Sequence, residues 1–175
     1  MSKNKDVVRR ETKALLADEF PEAVELGAFL AARGLTIGTA ESCTGGLLSA
    51  TLTAVPGSSA YMVGAIVAYS NAMKTKLLNV DAALIAEHGA VSEQVAAAMA
   101  LGCIAALGVD VAIGITGVAG PAADGSDKPV GRIYVAVAVG ESVSVEHHEG
   151  DRGREPNRAH GVRSALRLCA DALTW

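Results

Sequence analysis

Three features of this 175-residue chain predict an α/β fold, a three-layer α/β/α sandwich around a mixed, mostly parallel sheet. Helix-like and strand-like segments alternate without repeats or long linkers, the pattern of a layered α/β fold. Half of the residues are hydrophobic but only 3% are aromatic, so the core is built mainly from Ala, Val, Leu and Ile. Such a core suits close packing of helices on a sheet, and the length favours one domain around it.

The elements follow in order. Residues 1–19 are charge-rich and read as an arm, mobile or formed into an extra helix, ahead of a domain over 20–175. Pro21 suits a first helical turn; Val24, Leu26, Phe29 and Leu30 make an apolar stripe, and Gly34 stops the helix. Leu35–Ala40 reads as a strand. A second helix opens at Thr44 or Gly45 and reaches about Ala54, before the loop Pro56-Gly57-Ser58-Ser59.

Met62–Tyr69 is a continuous apolar run, the pattern of a strand covered on both faces. Asn71 or Ser70 caps a helix carrying Met73, Leu77 and Leu78, and Asp81 begins a shorter one ending near His88-Gly89. Ser92-Glu93-Gln94-Val95 caps a helix that runs to about Leu107 and closes at Gly108. Val109–Thr116 is a second buried strand, followed by a loop rich in Gly and Pro to Pro129. Val130–Val139 is a β-branched strand beside which Ser142–His148 pairs. Asn157 or Arg158 to Leu173 forms the closing helix.

Composition removes several function classes. The formal net charge is -4 and no run of Lys and Arg occurs, so the basic footprint of a nucleic-acid interface is missing. No apolar run approaches the length of a bilayer span. Cys43, Cys103 and Cys169 are odd in number and widely spaced, neither a disulfide framework nor part of a cysteine–histidine metal motif. The start, MSKNKDVVRRETK, lacks the apolar stretch of a secretory signal. A soluble protein of a reducing cytoplasm is the expectation.

Open α/β sheets bind ligands beyond the C-terminal ends of their parallel strands. Four polar motifs lie just past predicted strands: Glu41-Ser42-Cys43-Thr44-Gly45-Gly46, Tyr69-Ser70-Asn71 with Lys74 a turn further on, Thr116-Gly117-Val118-Ala119-Gly120-Pro121, and Gly150-Asp151-Arg152. If the strands share direction, all four converge on one edge of the sheet.

In the first motif, Gly45-Gly46 allows a tight turn, and the adjoining helix start presents unpaired N–H groups. Ser42 beside those donors has the makings of a nucleophile with an oxyanion hole, although Ser42 or Thr44 also fits as a simple helix cap. A serine nucleophile needs a base. None of His88, His147, His148 and His160 falls in a strand-end motif, His160 lying on a mostly exposed turn. Lys74 is better placed, at a helix start in an apolar segment, where loss of water disfavours its charged form; alternatively it is a solvated helix-face lysine like Lys76. Tyr69 would orient the lysine or relay its proton.

Cys43 is a rival nucleophile, or a small buried hydrophobe; neighbours at a strand end point oppositely, so Ser42 and Cys43 should not both face one site. The glycine-rich segment Gly114–Gly131 offers N–H groups to a phosphate or carboxamide, and Arg152 offers a charge-assisted bond to an anion. Each also has a plain structural use, as a tight connection and a solvated surface charge.

The strings TAESCTGG (39–46), PGSSAY (56–61), YSNAMK (69–74), GAVSE (89–93), GVAGP (117–121), KPVG (128–131) and GDR (150–152) resemble the C-terminal domain of the CinA family, from about Phe20 to the end. That family includes stand-alone nicotinamide-nucleotide amidohydrolases. The resemblance implies a metal-free, cofactor-free serine–lysine amidohydrolase that converts nicotinamide mononucleotide to nicotinate mononucleotide and ammonia in pyridine-nucleotide salvage. It implies Ser42 as nucleophile, Lys74 as base, Tyr69 assisting and Arg152 as the active-site arginine; the backbone donors of Thr44, Gly45, Gly46, Gly117 and Gly120, with Asn71, are expected at the substrate as well. A homo-oligomer is the expected assembly.

Three departures from the family pattern stand out. Longer members carry an N-terminal domain resembling molybdopterin-binding proteins, for which this chain has no room. The loop after Pro121 reads Ala122-Ala123-Asp124 where relatives are richer in glycine, and Gly153-Arg154-Glu155-Pro156-Asn157-Arg158 lengthens the stretch after Arg152. The site arginine is therefore Arg152 or Arg158. The competing readings are a nucleotide-binding regulatory module that keeps the pocket without the chemistry, and a cysteine amidase acting through Cys43.

Overall fold

A computed structural model describes residues 15–122 and 128–173. Helices α1 (Leu15–Glu19) and α2 (Pro21–Arg33) precede strand β1 (Ile37–Glu41), helix α3 (Leu47–Thr53), a 3-10 turn at Ser58–Ala60 and strand β2 (Met62–Val67). Helices α4 (Asn71–Leu78), α5 (Ala82–His88) and α6 (Glu93–Leu107) follow, then strands β3 (Val111–Gly117), β4 (Ile133–Val139) and β5 (Ser142–His148), and helix α7 (Arg154–Leu173). The arm reading for residues 1–14 lies outside the described residues.

The sheet order is β2-β1-β3-β4-β5. β1 pairs in parallel with β2 and β3, whereas β3–β4 and β4–β5 are antiparallel. Four strands therefore run one way and β4 alone runs back. The expected α/β/α sandwich with a mixed sheet is what forms.

Alternation along the strands separates two unlike cores. One face carries Ile37, Ile113, Ile115, Ile133, Val135 and Val137 against α2, α3 and α7. The other carries Ala40, Ala112, Ala136 and Ala138 against α4, α5 and α6. The small face lets α6 lie close: a Cβ at Gly114 would stand 2.5 Å from the Ala96 carbonyl oxygen, closer than any real contact. This is how a core with few aromatic residues fills its space.

Several boundaries differ from the sequence reading for physical reasons. β2 is an edge strand, not one covered on both faces: Val63 and Val67 are 53% and 44% exposed, because the short α3 covers only part of it. An apolar run alone does not separate a central strand from an edge strand. In α2 the buried stripe is Ala23, Leu26, Gly27 and Leu30, while Val24 faces outward. α7 starts at Arg154, earlier than expected, because Pro156 sits in a first turn that tolerates it. Ser70 and not Asn71 caps α4, accepting from the Met73 N–H.

Candidate active site

The four strands that share direction, β1, β2, β3 and β5, end at one rim of the sheet, and the four polar motifs meet there. A cavity of about 180 Å³ opens among the first three, lined by residues that include Ser42, Tyr69, Asn71, Lys74, Thr116, Gly117 and Gly120, with Arg154 from just past the fourth.

Lys74 is 2% exposed and Ser42 7%. The lysine Nζ lies 2.9 Å from Ser42 Oγ, 3.2 Å from the Ala68 carbonyl oxygen and 3.5 Å from that of Tyr69. A protonated amine donates to all three. An uncharged amine gives its two hydrogens to the carbonyls and turns its lone pair to the serine hydroxyl, so this geometry also suits proton abstraction. The two residues that follow strand β2 deliver the carbonyls and the first turn of α4 delivers the lysine, 32 residues from its serine.

The turn after β1 is not the helix start that the sequence suggests. Residues 42–46 form turns, Gly46 takes φ 94°, and α3 begins only at Leu47. The fully buried carboxylate of Glu41 accepts the N–H groups of Gly46, Leu48 and Ser49 at 3.0, 3.1 and 2.8 Å. The Gly45 N–H donates to the Ser42 carbonyl. Gly45 and Gly46 thus spend their amides inside the protein and do not line the cavity; the amides of Cys43 and Thr44 are in none of these bonds. The side chain and carbonyl of Thr44 are also withdrawn: the residue is buried, its methyl faces Gly161 of α7, and its carbonyl accepts from Arg158 at 2.7 Å.

Cys43 borders the cavity together with Ser42, against the expectation from strand alternation, because the chain has left β1 and turns here. Its thiol is pushed up to about 12, chiefly by burial, so at neutral pH it is a protonated core side chain and a poor nucleophile. Tyr69 is 58% exposed and touches Lys74 through its carbonyl, while its hydroxyl meets Arg154 Nη2 at 3.2 Å. A proton relay from the phenol to the lysine is not the observed contact.

The arginine at the cavity is neither Arg152 nor Arg158. Arg154 lines it and donates to the Gly120 carbonyl at 2.6 Å. Arg152 turns back onto the carbonyls of Glu149 and Gly150, and Arg158 pairs with Glu155 and Thr44. The early start of α7 produces this outcome by placing Arg154 on its first turn. Asp151 is spent inside its own loop; hydrogen bonds from the Gly153 N–H and then Asn157 hold its carboxyl below the usual range.

Sequence reasoning overlooked Asn157, wholly buried, whose Nδ2 donates to the Ala119 carbonyl and whose Oδ1 accepts from the Arg152 N–H. It ties the third and fourth motifs together. A polar residue next to Pro156 was its only signal. The histidines stay away from the cavity; His160 is half-buried, not exposed, and stacks edge-on against His148. Of the glycine-poor loop after Pro121, residues 123–127 lie outside the described residues. Among the described residues no group of three or more His, Cys, Asp or Glu side chains suits a metal ion, and no helix is long and apolar enough to cross a membrane.

Residues 21–173 match a family model described as the CinA C-terminal domain. A CinA-like protein of Citrifermentans bemidjiense is 46% identical over 96% of this chain, and one of Mycolicibacterium gilvum is 56% identical over 86%. The chain spans only 39% and 35% of those two proteins. Among solved structures, a CinA superfamily protein from Klebsiella pneumoniae superposes with TM-score 0.86 at 32% identity, covering 90% of this chain and 99% of that one. A counterpart from Escherichia coli gives 0.85 at 30% identity, covering 99% of both chains.

Proposed function

The chain belongs to the CinA C-terminal domain family, and from that premise we propose that it hydrolyses the carboxamide of nicotinamide mononucleotide to nicotinate mononucleotide and ammonia. The observation that carries the reading is the buried pairing of Lys74 Nζ with Ser42 Oγ at 2.9 Å on the wall of a polar cavity.

In this mechanism the uncharged amine of Lys74 takes the Ser42 proton as Oγ attacks the carboxamide carbon. The amides of Cys43 and Thr44 are the donors assigned to the developing oxyanion, a kind of interaction worth about 3–4 kcal/mol per donor in other enzymes. Lys74 then returns the proton to the amide nitrogen, the C–N bond breaks and ammonia leaves. A water, deprotonated by the same amine, attacks the acyl-serine ester; the acid departs and Ser42 regains its proton.

The cavity volume, about 180 Å³, lies below the roughly 300–1,000 Å³ of sites that engulf a whole ligand. It suits the amide-bearing ring, with ribose and phosphate lying outward over Tyr69, Asn71 and the Gly117–Gly120 backbone toward Arg154. The exposed guanidinium of Arg154, held by Gly120 and Tyr69, is the assigned phosphate partner in place of Arg152. A homo-oligomer joined along the uncharged outer edge of β2 is part of this proposal; light scattering showing a monomer at micromolar concentration removes it.

The deciding experiment measures ammonia release from nicotinamide mononucleotide beside a thermal shift with the same compound. The expected result is release by the parent protein and none by Ser42→Ala or Lys74→Ala, both still folded. A thermal shift without release points instead to a binding module, and near-normal turnover by either variant refutes these roles.

A further inference from the structure

The most enclosed ionisable side chain at the rim has no part in that mechanism. Glu41 is wholly buried and is met by four donors: Gly46 and Leu48 N–H on Oε2, Ser49 N–H and the Thr39 hydroxyl on Oε1. Strand β1 ends at this residue and α3 begins six residues later. One side chain therefore closes the loop that carries Ser42 at both of its ends. Arg158 of α7 also holds the Thr44 carbonyl of this loop, at 2.7 Å.

The geometry points to Glu41 as a positioning residue for the Ser42 nucleophile, a role that rests on the amidohydrolase reading and deepens it. Both oxygens are occupied by donors, so an acid works here where an amide does not: the NH₂ of glutamine would face N–H groups across one half of the site. Capping α3 with a carboxylate of the chain itself also satisfies the amides of Gly46, Leu48 and Ser49. What remains is a turn held by the carboxylate at its two ends and by the guanidinium at Thr44, with Ser42 Oγ delivered to the lysine. A displacement of about 1 Å in a reacting group can cost on the order of 100-fold in rate.

The test sets Glu41→Gln and Glu41→Asp beside Leu30→Ala, which destabilises a core position on α2 away from the cavity. Three quantities are measured: kcat and KM for ammonia release, the rate at which a fluorophosphonate probe labels Ser42 (with Ser42→Ala as blank), and Tm. The expected outcome is a loss of about tenfold or more in kcat and in labelling for Glu41→Gln, with KM within about threefold of the parent. Glu41→Asp, one methylene short of the α3 amides, loses kcat in the same sense. Leu30→Ala, at an equal or larger drop in Tm, keeps kcat within about twofold.

Parent-like kcat in Glu41→Gln or Glu41→Asp overturns the assignment. So do rate losses that follow Tm alike in all three variants. Labelling of the parent that Glu41→Gln slows, without ammonia release by the parent, keeps the positioning role and removes the amide substrate. A parent chain that is neither labelled at Ser42 nor releases ammonia overturns both.

Discussion

The cavity at the sheet rim and the groove between α2 and α7 make an instructive contrast. The groove is twice as large, about 370 Å³ against 180 Å³, and Leu26, Phe29, Leu166 and Ala170 supply its apolar surface, with Glu22, Glu25, Arg167 and Asp171 around it. Yet the buried amine, the hydroxyl beside it and the turn that carries that hydroxyl belong to the smaller space. The difference lies in what builds each. Parallel strands and helix starts deliver backbone N–H and C=O groups to the rim, so a polar cavity there is satisfied and shaped by main chain. The groove is a seam between two helices whose main-chain groups bond within each helix, and it offers side chains alone.

Five substitutions break or sharpen that contrast. Lys74→Met should lower kcat by about 10²–10⁴-fold, the range for loss of a general base, with the Tm held or raised because an apolar chain replaces a buried amine. A measured loss below tenfold would place the base elsewhere. Arg154→Ala should lower kcat/KM by about 10–100-fold, from roughly 1.5–3 kcal/mol for a charge-assisted bond, while Arg152→Ala changes it less than about threefold. Steady-state kinetics on the two variants decide between them.

Cys43→Ala should leave turnover within a few-fold of the parent and cost about 1 kcal/mol of stability. With its thiol pushed up to about 12, iodoacetamide should modify Cys43 slowly from pH 7 to 9, since thiolate becomes abundant only near the raised value. Fast inactivation at pH 7 would revive the cysteine reading. Phe29→Ala, in the groove, should cost about 1–2 kcal/mol, discounted for partial exposure from the ~3–5 kcal/mol of a fully buried aromatic, and should leave kcat unchanged. Chemical denaturation and the ammonia assay read both halves.

Much of the rim was legible because it depends on local patterns. Apolar runs located the strands, Ser70, Asp81 and Ser92 marked helix starts, and every polar motif fell just beyond a strand, so a common direction for β1, β2, β3 and β5 was enough to gather them. The arginine was not legible in the same way. Arg152, Arg154 and Arg158 lie within seven residues, and a helix turns 100° per residue, so a start three or four residues earlier changes which guanidinium reaches the cavity. Glu41 was hidden for another reason: Ser42 and Thr44 are ordinary caps, whereas the group that caps α3 is an acid reaching forward from the end of a strand.

By itself the sequence determined the layers, the two faces of the sheet and the nomination of a serine and a lysine, since alternation, caps and turns act over a few residues. Only the tertiary structure decided which amides the Glu41 carboxylate takes, which arginine faces the cavity and that β2 lies at an edge. Those outcomes depend on groups far apart in the chain, Thr44 with Arg158 and Gly120 with Arg154, whose meeting is set by how helices and strands stack.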